Sequence, residues 1–372
     1  MARGEEGAMM LRPIARRESK PVKIRDLVMG GGHSILVQSM TTTDTRDVAA
    51  TVAQIKKLEA LGCELVRVAV LNMDAAQQLG EIKKRIQIPL ISDIHFDHRL
   101  ALEAVRQGID KLRLNPGNIT DRAKIEEVVK AAKSRGIPIR IGVNSGSLPK
   151  DLLIKHEGAT PAAMLEAGLR EIEILEDNGF TDIVISVKST DVRVMIESYR
   201  LLAKKIKYPL HLGVTEAGAG DTGVARSALG IGTLLEEGIG DTLRCSLTGD
   251  PTREIKVAYD ILGALHIRWK GIQYTACPTC GRIGINLEKI VNEVQKRLET
   301  VDKPLKVSLI GCVVNGPGEA LHSNIGLVGA DKAGTIYVDG KPVKRVPEDQ
   351  LADELVKTVM SYEEKKPVTL KS

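Results

Sequence analysis

Short apolar runs rich in β-branched residues alternate with longer amphipathic stretches along most of this chain. The first run is Ile35 to Met40. A helix is predicted from about Asp47 to Leu61, with Val52, Ile55 and Leu58 on one side and Gly62 as its stop. The pattern then recurs: a helix ends, often at glycine, and a strand begins within a few residues. Such strands begin near Glu64, Leu90, Asp110, Ile137, Asp182, Leu210 and Asp241. The best-signalled helix has Thr160 as cap, Pro161 at its first position, Leu165, Leu169 and Ile172 facing inward and Gly179 as stop. Eight strand–helix units predict an α/β fold, a TIM (β/α)8 barrel over residues 35–268. A doubly wound open sheet is the rival, but it carries a nucleotide fingerprint after its first strand, which is missing here. Residues 1–34 read as a polar lead-in ending in Gly30-Gly31-Gly32. Residues 269–372 read as a small α+β domain, with a helix near Leu287, a strand from Lys306, a hairpin around Asp339-Gly340 and a final helix from about Glu348.

Composition narrows the function. At 372 residues, 43% hydrophobic and 27% charged, the chain has ample core for two domains. The net charge of +5 is dispersed and aromatics make up only 2%, so no nucleic-acid partner is expected. No apolar run suits a membrane span, and the first twenty residues lack a signal-type stretch, so the expected location is the cytoplasm, with no membrane partner. Met9 or Met10 is an alternative start. Five cysteines, an odd count in a large chain, point to metal binding or catalysis over a disulfide framework.

Barrel chemistry collects at the C-terminal ends of the strands. Those ends carry Arg67, Asp93 with His95, Arg113 with Asn115, Arg140 with Asn144, Ser186 with Lys188, His211 with Thr215 and Glu216, and Arg244 with Ser246. Asp93 and Glu216 are the only candidate acids for these cations, so an anionic, phosphorylated ligand is expected to complete the balance. Gly218-Ala-Gly220-Asp-Thr-Gly223 matches a dinucleotide pattern. In the seventh unit it reads better as a phosphate-binding loop at a helix N-terminus. Cys63 and Cys245 read as core residues. His33, His98, His156, His266 and His322 have no ligand-type spacing.

The remaining cysteines, Cys277, Cys280 and Cys312, lie in turn-rich sequence. Cys277-Pro-Thr-Cys280 brings two thiolates towards one centre. Cys312 adds a third, followed by a Gly-Pro-Gly turn. Structural zinc is one reading, although its usual second pair is missing. An iron–sulfur cluster with three thiolates and an unusual fourth ligand, Glu319 or His322, is the other. The paired reading is a phosphate-gripping barrel and a cluster that reduces its ligand or removes water from it. A non-redox hydro-lyase and a zinc-stapled phosphate-binding module are the alternatives.

These residues together resemble one enzyme family. Its marks are Val37-Gln-Ser-Met40-Thr, Ser92-Asp-Ile-His95-Phe, Arg113-Leu-Asn-Pro-Gly-Asn118, Arg140-Ile-Gly-Val-Asn144, Gly213-Val-Thr-Glu216-Ala-Gly, Cys277-Pro-Thr-Cys280-Gly-Arg and Cys312-Val-Val-Asn-Gly-Pro-Gly-Glu319. The chain resembles the 4-hydroxy-3-methylbut-2-en-1-yl diphosphate synthases of the methylerythritol phosphate route to isoprenoids, in their short two-domain form. One departure is the Gly30-Gly-Gly-His-Ser34 turn, where the family usually has a proline. The resemblance implies a two-electron reductive ring opening of 2-C-methyl-D-erythritol 2,4-cyclodiphosphate, with flavodoxin or ferredoxin as donor. It implies a [4Fe–4S] cluster on Cys277, Cys280, Cys312 and Glu319. The diphosphate would be held by Arg67, Arg113, Arg140, Lys188, Arg244 and Ser246, with Asn144, Thr215 and His211 helping. Glu216 would donate a proton to the departing hydroxyl, and Asn315 would approach the substrate from the cluster side. It further implies a homodimer in which one subunit's cluster domain covers the other's barrel.

Overall fold

The computed structural model describes residues 13–95, 97–119 and 121–363. The alternative start at Met9 or Met10, the Phe96 of the Ser92–Phe96 motif and the chain beyond Glu363 lie outside the described residues. The chain forms two compact units that part between Ile267 and Arg268.

The first unit opens with a hairpin of β1 (Val22–Ile24) and β2 (Leu27–Met29). Eight strands follow: β3 (Leu36–Met40), β4 (Leu65–Val70), β5 (Leu90–Ile94), β6 (Lys111–Arg113), β7 (Ile139–Asn144), β8 (Ile183–Lys188), β9 (His211–Leu212) and β10 (Thr242–Leu243). They pair in parallel in the order β8-β7-β6-β5-β4-β3-β10-β9, and a bridge between Ile185 and Leu210 joins the two ends. This is the expected TIM barrel. The helices around it are α1 (Val48–Ala60), α2 (Met73–Lys84), α3 (His98–Arg106), α4 (Arg122–Ser134), α5 (Lys150–Lys155), α6 (Pro161–Asp177), α7 (Val192–Lys205), α8 (Gly220–Glu236) and α9 (Thr252–Ala264). Their starts follow local chemistry. Asp47 accepts the Ala50 N–H at the head of α1, and Thr160 accepts that of Ala163 before Pro161 in α6. The apolar stripe of each helix packs on the outward residues of the strands in one continuous core.

The lead-in is more than a polar arm. Val22, Ile24 and Met29 are buried against Leu36, Leu65, Ile91 and Val184, at or near the first residues of β3, β4, β5 and β8. The hairpin therefore caps the N-terminal end of the barrel. Its apolar runs span only three residues between charges, too short for periodicity to show. Asp241 anchors the segment before it. Its carboxylate receives Arg16 Nη2 at 2.9 Å, the Ser19 hydroxyl at 2.9 Å and the Leu210 N–H at 2.9 Å, with Arg17 at 3.7 Å. Asp241→Asn removes the charge but keeps an acceptor. Chemical denaturation is expected to show a loss of about 1–3 kcal/mol, the scale of charged hydrogen bonds in a buried setting.

The second unit is a five-stranded sheet, β11 (Gln273–Ala276), β12 (Lys306–Ile310), β13 (Ile325–Ala330), β14 (Ala333–Val338) and β15 (Lys341–Pro347), in sequence order. Helices α10 (Leu287–Arg297), α11 (Gly316–Leu321) and α12 (Leu351–Ser361) complete it around a separate core. Asp339 and Gly340 turn the last hairpin with φ of 49° and 73°, the left-handed pair that a two-residue turn requires. The edge strand β15 exposes Lys341, Pro342, Lys344 and Arg345, residues that discourage pairing with another sheet. No helix among the described residues is long and apolar enough to cross a membrane.

Candidate functional site

The interior of a TIM barrel is ordinarily filled by branched apolar side chains. Here only the layer against the hairpin is apolar. Above it, the alternation of each strand turns polar residues inward. Gln38, Arg67, Asp93, Lys111, Arg140, Ser186, His211 and Thr242 are all buried. Towards the mouth follow Arg113, Lys188 and Arg244. Six cations thus share the interior with two carboxylates, Asp93 and Glu254.

Each carboxylate serves particular arginines. Asp93 lies 2.9 Å from Arg113 Nη1 and 3.5 Å from Arg67 Nε. Burial alone would raise its pKa. Arg67, the hydrogen bond with His95, Arg113 and Arg140 outweigh that and hold it far below the usual carboxylate range. Glu254, from α9, binds Arg244 through both oxygens, at 2.9 and 3.0 Å, and also accepts the Ser39 hydroxyl at 2.7 Å. Glu254 corrects the count of acids made from the sequence. Glu216 is exposed, on a loop where its φ is 51°, and the second interior carboxylate comes from a helix instead.

The other cations are seated without acids. Arg140, 1% exposed, donates to Ser186 Oγ at 2.6 Å. Lys188 Nζ lies 3.3 Å from His211 Nε2. Lys111 Nζ touches the sulfur of Met29 at 3.3 Å. Burial, then neighbouring cations, pushes the pKa of Arg140, Lys188 and Lys111 well below the usual values, and that of Arg67 down to about 10. Several buried donors have no partner among the described residues: the Gln38 amide, Arg113 Nε and Arg140 Nε. Buried polar atoms are seldom left unpaired, so an interior of this kind fits an anionic ligand.

Backbone geometry makes room for these side chains. A Cβ on Gly142 would stand 2.6 Å from Arg113 Nε and 2.8 Å from its Nη2. Asn115 exchanges hydrogen bonds with the Gly142 backbone at 2.8 and 2.9 Å, so it braces β6 against β7. Gly142→Ala is expected to displace the Arg113 guanidinium. Calorimetry should show anion affinity lower by about tenfold, the equivalent of one hydrogen bond to a charged group. Asn144, Thr215 and Ser246 lie half-buried at or just beyond the ends of β7, β9 and β10. In the glycine pattern at Gly218–Gly223, Gly218 and Ala219 lead into α8 and Gly220 to Gly223 form its first turn. Cys63 and Cys245 are buried, and burial raises both thiol pKa values, that of Cys63 to about 12.

In the second unit the cysteines gather at one end of the sheet. Cys277 follows β11 and Cys312 follows β12, two parallel neighbours with Ala276 opposite Leu309. The Gly311 N–H donates to Cys277 Sγ at 3.3 Å. Cys280 is exposed, and Cys277 and Cys312 are half-buried. Backbone N–H groups of Val314 and Asn315, with the Arg282 guanidinium, hold the Cys312 thiol below its usual range against the effect of burial. Asn315 and Glu319 are exposed at the start of α11 and within it. Among the described residues no three His, Cys, Asp or Glu stand close enough to hold a single metal ion. A cubane cluster spreads its thiolates over separate irons, so wider spacing suits it, and three soft thiolates with a carboxylate later in the Cys312 segment fit such a group.

Comparison with known proteins covers both units. Residues 19–259 match the GcpE TIM-barrel domain, and residues 273–361 match the GcpE protein C-terminal domain. The 4-hydroxy-3-methylbut-2-en-1-yl diphosphate synthase (flavodoxin) of Clostridium acetobutylicum is 53% identical over 346 residues, 93% of this chain and 99% of that one. The protein of the same name from Caldanaerobacter subterraneus is 52% identical over 344 residues, 92% and 97% of the two chains. That from Pseudomonas fluorescens is 53% identical over 347 residues, 93% and 94%.

Proposed function

This chain belongs to the GcpE family, and from that premise we propose that it is a flavodoxin-dependent 4-hydroxy-3-methylbut-2-en-1-yl diphosphate synthase whose barrel interior binds 2-C-methyl-D-erythritol 2,4-cyclodiphosphate. The observation that carries the substrate is the imbalance inside the barrel, six cations against two carboxylates with donors left over. In the reaction the cyclic diphosphate takes up two electrons and two protons. It yields 4-hydroxy-3-methylbut-2-enyl diphosphate and one water.

Arg67, Arg113, Arg140, Lys188, Arg244 and Ser246 bind and orient the phosphates, with Asn144 and Thr215 at the rim. The guanidinium groups draw negative charge towards the leaving oxygen. Glu216, exposed on the loop after β9, delivers the proton that makes the departing hydroxyl water. Cys277, Cys280, Cys312 and Glu319 would hold a [4Fe–4S] cluster, with Asn315 beside it. When bound, that group supplies single electrons from flavodoxin or ferredoxin and an iron acting as Lewis acid. The proposal includes a homodimer, open to test by sedimentation. It also includes a cytoplasmic location, where reducing conditions keep accessible thiols free.

The test is an anaerobic assay with the cyclodiphosphate, reduced flavodoxin and the purified chain. The expected result is one product molecule for every two electrons consumed. Turnover without any donor would overturn the reductase in favour of a hydro-lyase. A colourless protein holding zinc, with no iron or sulfide, would overturn the cluster.

Ligand binding should also move protons. In the ligand-free barrel, burial and mutual repulsion depress the lysines. A bound anion raises them again. Groups whose pKa rises on binding favour the complex at low pH and lose that contribution as pH climbs through the bound value. Calorimetry in buffers of different ionisation heat should show net proton uptake, and affinity should fall as pH rises. Proton release would contradict this.

A further inference from the structure

The cations inside the barrel are seated in two ways. Arg67, Arg113 and Arg244 lie against carboxylates, which neutralise part of their charge. Arg140 and Lys188 lie against neutral acceptors, Ser186 Oγ and the His211 ring. The second arrangement fixes a side chain while leaving its charge for a ligand.

His211 is 0% exposed, and its backbone carbonyl receives the Tyr199 hydroxyl, which pins β9 at that residue. Burial, then Lys188, Arg140, Lys111 and Arg67, pushes its pKa far down, so the imidazole is neutral. A neutral ring has one donor and one acceptor nitrogen. An ammonium can only donate, so the Nε2 lone pair is set towards Lys188 Nζ at 3.3 Å and the ring proton is assigned to Nδ1, which faces Thr242 Oγ1 at 3.5 Å. Two residues along the same face of the chain is Gly213. A Cβ there would stand 2.6 Å from Lys188 Nζ and 2.7 Å from the Arg244 carbonyl oxygen. The ammonium therefore rests between an imidazole and a bare stretch of backbone.

We propose that His211 and Gly213 form a seat that aims the Lys188 ammonium at the anionic ligand, with His211 a positioning residue that accepts a hydrogen bond from Lys188 and does not touch the ligand itself. This rests on the functional reading above, and it changes the part played by His211 from a direct contact to a support. The seat also explains why a histidine stands there. A carboxylate at the same place would cancel the charge, and an aliphatic side chain would leave the ammonium unanchored.

The test is a double-mutant cycle, read as the dissociation constant of the cyclodiphosphate by calorimetry on the anaerobically purified full chain. His211→Leu should weaken binding about tenfold or more, the scale of one charged hydrogen bond. His211→Gln, which keeps an acceptor near Nε2, should stay within about threefold of wild type. In a Lys188→Met background, His211→Leu should have no further effect, because a support matters only while its cargo is present. An equal loss in both backgrounds, or unchanged binding by His211→Leu, would overturn the seat. If His211→Leu does not fold, His211→Asn, whose shorter side chain withdraws the acceptor from Lys188, carries the same cycle, with a loss expected only when Lys188 is present and an equal loss in both backgrounds counting against it. A wild-type chain that binds inorganic pyrophosphate but not the cyclodiphosphate would overturn the substrate and leave the seat to be judged by the same cycle with pyrophosphate. Binding neither anion would overturn both.

Discussion

Cys312→Ser will leave the purified protein without iron and sulfide and its reductase activity at background, while the barrel stays folded. Cys312 follows β12 directly beside the strand that delivers Cys277. Backbone N–H groups and Arg282 favour its thiolate. A serine hydroxyl in that setting stays protonated and is a poor ligand for iron. The barrel should keep its fold and melting transition, because the two units have separate cores. Iron and sulfide analysis, visible absorbance and calorimetry on one preparation check all parts of the expectation. Full activity in the serine variant would remove Cys312 from the ligand set.

Arg140→Met should move two measurements in opposite directions. Arg140 is buried, its Nε has no partner among the described residues, and its charge depresses the pKa of Lys188, Lys111 and His211. Removing it withdraws a charged contact from the ligand. Affinity should fall by about 2–3 kcal/mol, roughly 30- to 150-fold. Removing it also relieves repulsion in the ligand-free barrel, so the melting temperature without ligand should rise. Sites that bind charge are often built at the expense of stability. A variant that loses both affinity and stability would show that Arg140 serves packing more than binding.

The barrel was legible because its strands are apolar runs closed by turns and its helices carry caps such as Asp47 and Thr160. The hairpin at its base was not, since three-residue strands flanked by charges give no periodic signal. The arginines could be read as a group because charges inside apolar strands are rare. Lys111 and Gln38 carried the same signal at alternate positions, Lys111 with Arg113 and Gln38 with Met40. Following the two-residue period down each strand, and not only at its end, finds them. Glu254 had no such mark. A glutamate in the first turn of a helix reads as a solvated residue, and only the packing of α9 against β3 brings it to Arg244. The cysteine loops were visible as spacing, yet their adjacency depends on β11 and β12 being parallel neighbours.

The hairpin of Val22–Ile24 and Leu27–Met29 lays an apolar layer across the base of the barrel. A charged diphosphate does not cross that layer, so the product must leave by the way the substrate came. Entry and exit then exclude one another. The product, which keeps both phosphates, competes for the same cations as the next substrate, and rising product slows turnover by raising KM while leaving kcat untouched.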